Sequence, residues 1–257
     1  INILVLSAYR CGVGVPLFFE LLDKKGNSNT EERKAMLRKL LRILPAKHIA
    51  SFSADREFIG ADWYNFLISK KIPFYIRIKS NQKVSLNGVE FEAKHLAIFG
   101  KQRHYTNIRH QGYRLDLASK KLSCKADEEE KYLLVLTNAK VEQALSIYRL
   151  RWSTEVCFQC LKKRGFNLED TRLKKDGQLK KLFAMVALAF AACLDIGIQR
   201  HQEEKPMKKR SNGYKPNSFF RHGRDKIRKL FLHQHQLFAQ TVLCLNELFD
   251  RIYDNLI

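Results

Sequence analysis

The sequence predicts an α/β protein: a mixed sheet with flanking helices, and a β-rich segment set between its two parts. Three observations carry this. Over the first 80 residues, apolar runs rich in β-formers alternate with helix-period stretches. From 80 to 138, short alternating runs follow one another with turn residues between them and no clear helix. From 139 to 203, two long helix-period segments complete the pattern. A β-rich stretch wedged between α/β and α sections points to an insertion rather than an end-to-end domain. The expected organisation is therefore a core (1–79), a β-rich insertion (80–138), the second part of the core (139–203) and a basic extension with a terminal helix (204–257).

The elements follow in order. "INILVLSAY" (1–9) is a continuous apolar run and reads as a buried strand. "CGVG" turns it into a second strand, "VPLFFELLD", antiparallel to the first. "KKGNSN" is a loop, and Thr30 can cap a helix to about Leu44, with Glu31 and Glu32 in the first turn where the dipole favours acids. "IASFSAD" (49–55) is a third strand that ends on Asp55; a helix over 60–70 and a strand "PFYIRIK" (73–79) follow. Strand, helix and strand imply a parallel crossover. "KVSLNGVEF", "RHYTNIR", "YRLDLAS" and "KYLLVLTN" supply the β-rich segment, and 139–164 and 177–203 the long helices.

Composition narrows the function. Hydrophobic residues make up 45% of the chain, enough to bury a core and to exclude wholesale disorder. Forty-seven basic residues stand against 26 acidic ones, a net charge of +21, which calls for a polyanionic partner such as nucleic acid. Residues 205–229 alone hold ten Lys or Arg and one Asp, interleaved with Tyr214, Phe219 and Phe220, and read as a solvated arm that can meet phosphates. "HQHQLFAQTVLCLNELFDRI" (233–252) reads as a closing amphipathic helix. Of six cysteines only Cys157 and Cys160 are close, and no second pair matches them, so they read as small core residues rather than a zinc site. No disulfide framework and no signal peptide are visible, which fits a reducing, cytoplasmic compartment. The longest apolar run, 182–194, has thirteen residues against the roughly 20 a bilayer needs, and reads as a buried helix, with no membrane partner.

The chemistry sits in "YRLRWSTEVCFQCLKK" (148–163), a basic segment with one acid, Glu155. On a continuous helix Arg151, Glu155 and Lys162 lie at about 300°, 340° and 320° from Tyr148, within one stripe of about 60° and along about 21 Å. Ile147, Leu150, Cys157, Phe158 and Leu161 fall largely on the opposite, inward face. An ordinary solvated face with an i, i+4 ion pair is the plain reading of Arg151 and Glu155. Against it stand the hydroxyl of Tyr148, the overall charge and Asp55, an acid at the carboxyl edge of an α/β sheet. A strand-end Asp and a helix Glu can share divalent ions, and Mg²⁺ takes a few carboxylate oxygens while leaving room for water and phosphate.

The spacing Tyr148-x2-Arg151-x3-Glu155-x6-Lys162 resembles the Tyr-Arg-Glu-Lys motif of bacterial DDE transposases of the insertion-sequence-four family. "SADREF" (53–58) resembles the segment around that family's second catalytic Asp, and "YRLRW" and "LEDTRL" resemble its flanks; the likeness runs from 1 to about 200. It implies a ribonuclease-H-like core with a β-strand insertion before the Glu. It implies Mg²⁺- or Mn²⁺-dependent cleavage of transposon ends, with two ions, and strand transfer into target DNA. By the resemblance, Asp55 and Glu155 are the metal-binding catalytic acids, and Tyr148, Arg151 and Lys162 contact DNA. Arg56 and Trp152 are lesser DNA candidates, and an aromatic such as Trp152 flanking a helix is more often core. The partners implied are double-stranded DNA and a second copy of the chain on it, in a bacterial cytoplasm at the nucleoid.

One departure matters. The family uses three acids, the first on the opening strand, and the chain begins at Ile1, downstream of that strand by this resemblance. The expectation is of a fragment that lacks the first catalytic Asp and is inactive alone. Two other readings stay open: another ribonuclease-H-like nuclease such as a junction resolvase, which has no reason to show this spacing, and a catalytically inactive DNA-binding remnant.

Overall fold

The computed structural model describes residues 2–123, 128–163, 165–173, 175–208, 211, 215, 217–232, 245–248 and 251. The chain divides into two compact units: 1–6 with 22–153, and 7–21 with 154–257. The division runs through the first hairpin and through one helix.

The first unit is built on a seven-stranded mixed sheet in the order β3-β4-β9-β8-β7-β5-β6. Its strands are β3 (Phe52–Ala54), β4 (Phe74–Arg77), β5 (Lys83–Leu86), β6 (Val89–Glu92), β7 (Arg103–His110), β8 (Tyr113–Lys121) and β9 (Tyr132–Thr137). Only β3 and β4 run parallel, with Ala54 opposite Ile76. The helix α2 (Ala61–Ser69) makes the crossover between them, as expected from the sequence. The predicted β-rich stretch provides β5 to β9, with a short helix, α3 (Glu128–Lys131), and a 3₁₀ turn over Ala93–Leu96. β5 and β6 are joined by Asn87 and Gly88, and β7 and β8 by Gln111 and Gly112, all four at positive φ. Two-residue turns of this hand match the twist of the strands, and glycine is the residue that adopts it without strain.

Alternate residues of β4 explain the core. Phe74 and Ile76 face one side with Trp63, Tyr64 and Leu67 of α2, and Leu37 of α1 (Thr30–Leu41). Tyr75 faces the other side with Ala118, Val135, Ala144, Leu145 and Tyr148. A strand covered on both faces reads as a continuous apolar run, which is how "PFYIRIK" appears. The cap of α1 lies one residue before the expected Thr30: Asn29 is the cap, Thr30 is the first helical residue, and Glu32 returns the bond to the Asn29 backbone.

The opening hairpin departs from expectation. β1 (Ile3–Arg10) and β2 (Val13–Leu21) form a two-stranded sheet of their own, joined at Cys11 and Gly12. They do not extend the mixed sheet, and β1 is only half-buried, with Tyr9 exposed.

The second unit is helical around β2. It holds most of α5 (Trp152–Lys162), α6 (Asp176–Gln199) and α7 (Phe219–Leu232). Phe19 of β2 meets Phe183 of α6 at 4.5 Å between ring centres, and Asp195 of α6 pairs with Arg10. α6 and α7 cross in backbone contact: a Cβ on Gly223 would lie 1.8 Å from the Cys193 carbonyl oxygen, and one on Gly197 1.8 Å from that of Phe219. Phe220, fully buried, stacks on Phe190 at 5.0 Å.

Two expectations change here. The thirteen-residue apolar run belongs to a longer helix, continued by a π turn to Glu204; Asp176–Glu204 is long and apolar enough to cross a membrane by length and composition. The length argument therefore fails, and what the structure shows instead is packing against β2 and α7. The supposed solvated arm is a helix over Phe219–Leu232, with Phe220 in the core rather than free to stack on bases. Tyr214 and most of the predicted 233–252 helix lie outside the described residues; 245–248 and 251 are helical.

Candidate active site

Asp55 follows the last residue of β3 and opens a tight turn, in which the Phe58 amide donates to the Asp55 carbonyl at 2.9 Å. Its carboxylate bends back so that Oδ1 accepts the Arg56 amide at 2.8 Å. Oδ1 also accepts the Tyr148 hydroxyl at 3.3 Å. The guanidinium of Arg151 approaches Oδ2 to 3.7 Å and lies over the Tyr148 ring at 5.5 Å. The Asp55 side chain stays 40% exposed, so one side of the carboxylate is open to a ligand. Thus the first unit brings four of the expected residues together: Asp55, Arg56, Tyr148 and Arg151.

The predicted helix is not continuous, and this changes the roles. It breaks into a 3₁₀ turn (Val141–Gln143), α4 (Ala144–Arg149) and α5, with Leu150 and Arg151 in a turn between them. The amides of Leu150, Arg151 and Ser153 bond three residues back, to Ile147, Tyr148 and Leu150. Each such bond tightens the turn and shifts the angular phase, so a wheel drawn at 100° per residue fails across the junction. Tyr148 is therefore buried, not outward, and Leu150 is exposed, not inward. Cys157 and Leu161, beyond the break, are buried as expected. Burial pushes the Tyr148 hydroxyl up to about 12, with the Asp55 charge adding to the rise and Arg151 and Arg77 opposing it. It remains a proton donor at neutral pH.

Glu155 and Lys162 belong to the second unit. Glu155 lies in the first turn of α5, where the helix dipole favours a carboxylate, and is half-buried; Lys162 ends the helix, exposed. The residue before Glu155 is pinned: Thr154 Oγ1 and Ser7 Oγ are 3.0 Å apart, and a Cβ on Gly14 would stand 3.1 Å from the Thr154 Cα. Trp152, a lesser DNA candidate for which core was the rival reading, is 59% exposed and so not in the core. Cys157 and Cys160 are buried and reduced, and burial pushes Cys157 up to about 12, which makes it inert.

Among the described residues, no group of three or more His, Cys, Asp or Glu side chains is gathered to hold a metal ion. Asp55 still offers the donor type that Mg²⁺ takes, a hard carboxylate whose Oδ1 accepts two hydrogen bonds while Oδ2 keeps lone pairs for a ligand.

Residues 7–191 match the family model for the transposase DDE domain. The chain belongs to that family. No curated protein matches it. The family match covers Asp55, Tyr148, Arg151, Glu155 and Lys162 alike, and a mixed seven-stranded sheet with helices is compatible with the ribonuclease-H-like fold of a transposase. The sequence did not single out Arg33 of α1, which is buried and donates to the Glu57 carbonyl in the turn that Asp55 opens, a contact across the fold that no local pattern announces.

Proposed function

We propose that the chain is part of a transposase that cleaves transposon ends and transfers the cut strand to target DNA, with Asp55 and Glu155 two of its three acids. The observation that carries this is Asp55 at the end of β3, held between the Tyr148 hydroxyl and the Arg151 guanidinium. Tyr148 and Arg151 are two members of the same spaced motif that contains Glu155.

Asp55 and Glu155 would hold Mg²⁺ or Mn²⁺, in two sites, as hard oxygen donors. When bound, such ions supply charge neutralisation at the phosphate undergoing displacement. The chain's own residues do the rest. Tyr148, kept protonated by burial, orients Asp55 through its hydroxyl rather than lying in a groove of the DNA. Arg151, Arg56 and Lys162 would meet phosphates, and the exposed Trp152 ring would stack on a base. The partners are double-stranded DNA and a second copy of the chain, in the cytoplasm at the nucleoid. The insertion reading of 80–138 belongs to the same proposal.

The test uses the full-length protein and DNA bearing the element's ends. Asp55→Asn and Glu155→Gln should each abolish Mg²⁺-dependent cleavage and leave DNA affinity within about threefold, since a carboxylate is lost and the basic groups stay. Cleavage at the normal rate by either variant removes that acid from the site. Loss of binding together with cleavage makes the residue structural.

A further inference from the structure

The turn that presents Asp55 is held from behind. Arg33 of α1 is 7% exposed, and its donors fan out to three acceptors. Nε donates to the Ser28 hydroxyl at 2.9 Å, Nη1 to the Glu57 carbonyl at 2.9 Å, and Nη2 to the Ser28 carbonyl. The guanidinium lies 4.3 Å over the Phe58 ring. Glu57 and Phe58 are the third and fourth residues of the turn that Asp55 opens, and the Phe58 amide closes it onto the Asp55 carbonyl. α1 itself is anchored by the reciprocal cap between Asn29 and Glu32, so Arg33 projects from a fixed base.

A buried guanidinium is a costly way to fill space, and an apolar side chain of similar volume serves packing as well or better. Here it has no carboxylate within ion-pair distance among the described residues; its partners are carbonyls, a hydroxyl and a ring. What a planar fork does, and an apolar side chain cannot, is fix the direction of several acceptors at once. Two of those contacts fall on the Asp55 turn.

We infer that Arg33 is a positioning residue for Asp55, clamping the 55–58 turn against α1 so that the carboxylate holds one direction. This rests on the reading of Asp55 as an acid of the reaction.

Hydrogen exchange and steady-state cleavage test it together, in Arg33→Gln, Arg33→Lys, Phe58→Leu and Asp55→Asn. Leu37→Ala serves as a control that weakens the same helix from its buried face and leaves the three hydrogen bonds of Arg33 intact. Arg33→Gln should speed exchange of the Arg56 and Phe58 amides by about tenfold or more while β4 and β9 keep their protection. Its kcat should fall about tenfold to a hundredfold, as for a misplaced catalytic group, with KM for DNA within about twofold. Arg33→Lys should not restore kcat, because an ammonium cannot fan into the same plane. Leu37→Ala, at comparable loss of stability, should keep kcat. Equal kcat losses in Arg33→Gln and Leu37→Ala, or full turnover in Arg33→Gln while Asp55→Asn is dead, overturn the inference alone. Full turnover in Asp55→Asn overturns the reading beneath it. Should Arg33→Gln fail to fold, Phe58→Leu removes the ring and keeps all three hydrogen bonds; it must loosen the turn and lower kcat in the same sense, and unchanged values refute the clamp.

Discussion

The sheet unit and the helical unit are each stabilised internally by a different means. In the first, Phe74, Ile76, Leu117, Leu134 and Leu136 are all fully buried, and alternate residues of the central strands feed two cores. In the second, the decisive contact between α6 and α7 is made by Gly197 and Gly223, which have no side chains. Apolar alternation announces the first arrangement along the sequence. Nothing announces the second, because the residues that permit it contribute no hydrophobic signal. A segment that reads as a charged, solvated arm is for this reason a docked helix.

The two units differ most at the glycine crossing. Gly223→Ala places a methyl 1.8 Å from a carbonyl oxygen, a backbone clash that no rotamer relieves. It should cost about 4 kcal/mol, above the ordinary overpacking range. Urea unfolding followed by exchange at Ile76 and Leu136 should show α7 released while the sheet stays protected; a variant as stable as the parent contradicts the crossing. Leu117→Ala, in the sheet core, should cost about 3 kcal/mol by cavity formation, and should lower protection across β8 and β9 instead. Unchanged protection there would mean that the core collapses around the gap.

The sheet unit also carries a pH dependence. His110 is buried, with Nδ1 3.2 Å from the Tyr64 hydroxyl and Nε2 3.1 Å from Gln82 Oε1. Burial pulls it down from the usual 6.5 to about 4. The unfolded chain then binds the proton first as pH falls, so stability is full above about 6.5 and is lost progressively down to about 4, by at most about 3 kcal/mol. Urea midpoints at pH 7.5, 5.5 and 4.5 should fall in that order, and less steeply in His110→Gln; identical slopes would place the loss in other groups. The smallest effect expected is at the cap of α1. Asn29→Ala removes a reciprocal cap and should cost about 1 kcal/mol in thermal unfolding. A neutral result would mean that water satisfies the freed amides.

Much of the fold was legible. The crossover β3-α2-β4, the β-rich run from 83 to 121 and the long helix from 176 all follow from apolar period and turn chemistry. The opening hairpin was legible as a hairpin, but not as separate from the main sheet, since two half-buried strands and two buried ones have the same apolar content. At the candidate site, the resemblance to a known motif pointed to Asp55, Tyr148, Arg151, Glu155 and Lys162. It did not give their directions. Three short-range hydrogen bonds at Leu150, Arg151 and Ser153 change the phase of the helix and turn Tyr148 inward. Arg33 was invisible because its meaning lies in carbonyls brought to it by another segment.

Most element types, the basic charge and the spaced Tyr-Arg-Glu-Lys set follow from the sequence alone, because these depend on neighbours a few residues apart. Only the tertiary structure decided that the Tyr148 hydroxyl meets Asp55, 93 positions away, and that α7 docks on α6 through glycine. Such contacts depend on which backbone groups the packed core brings within reach, and no local period encodes that.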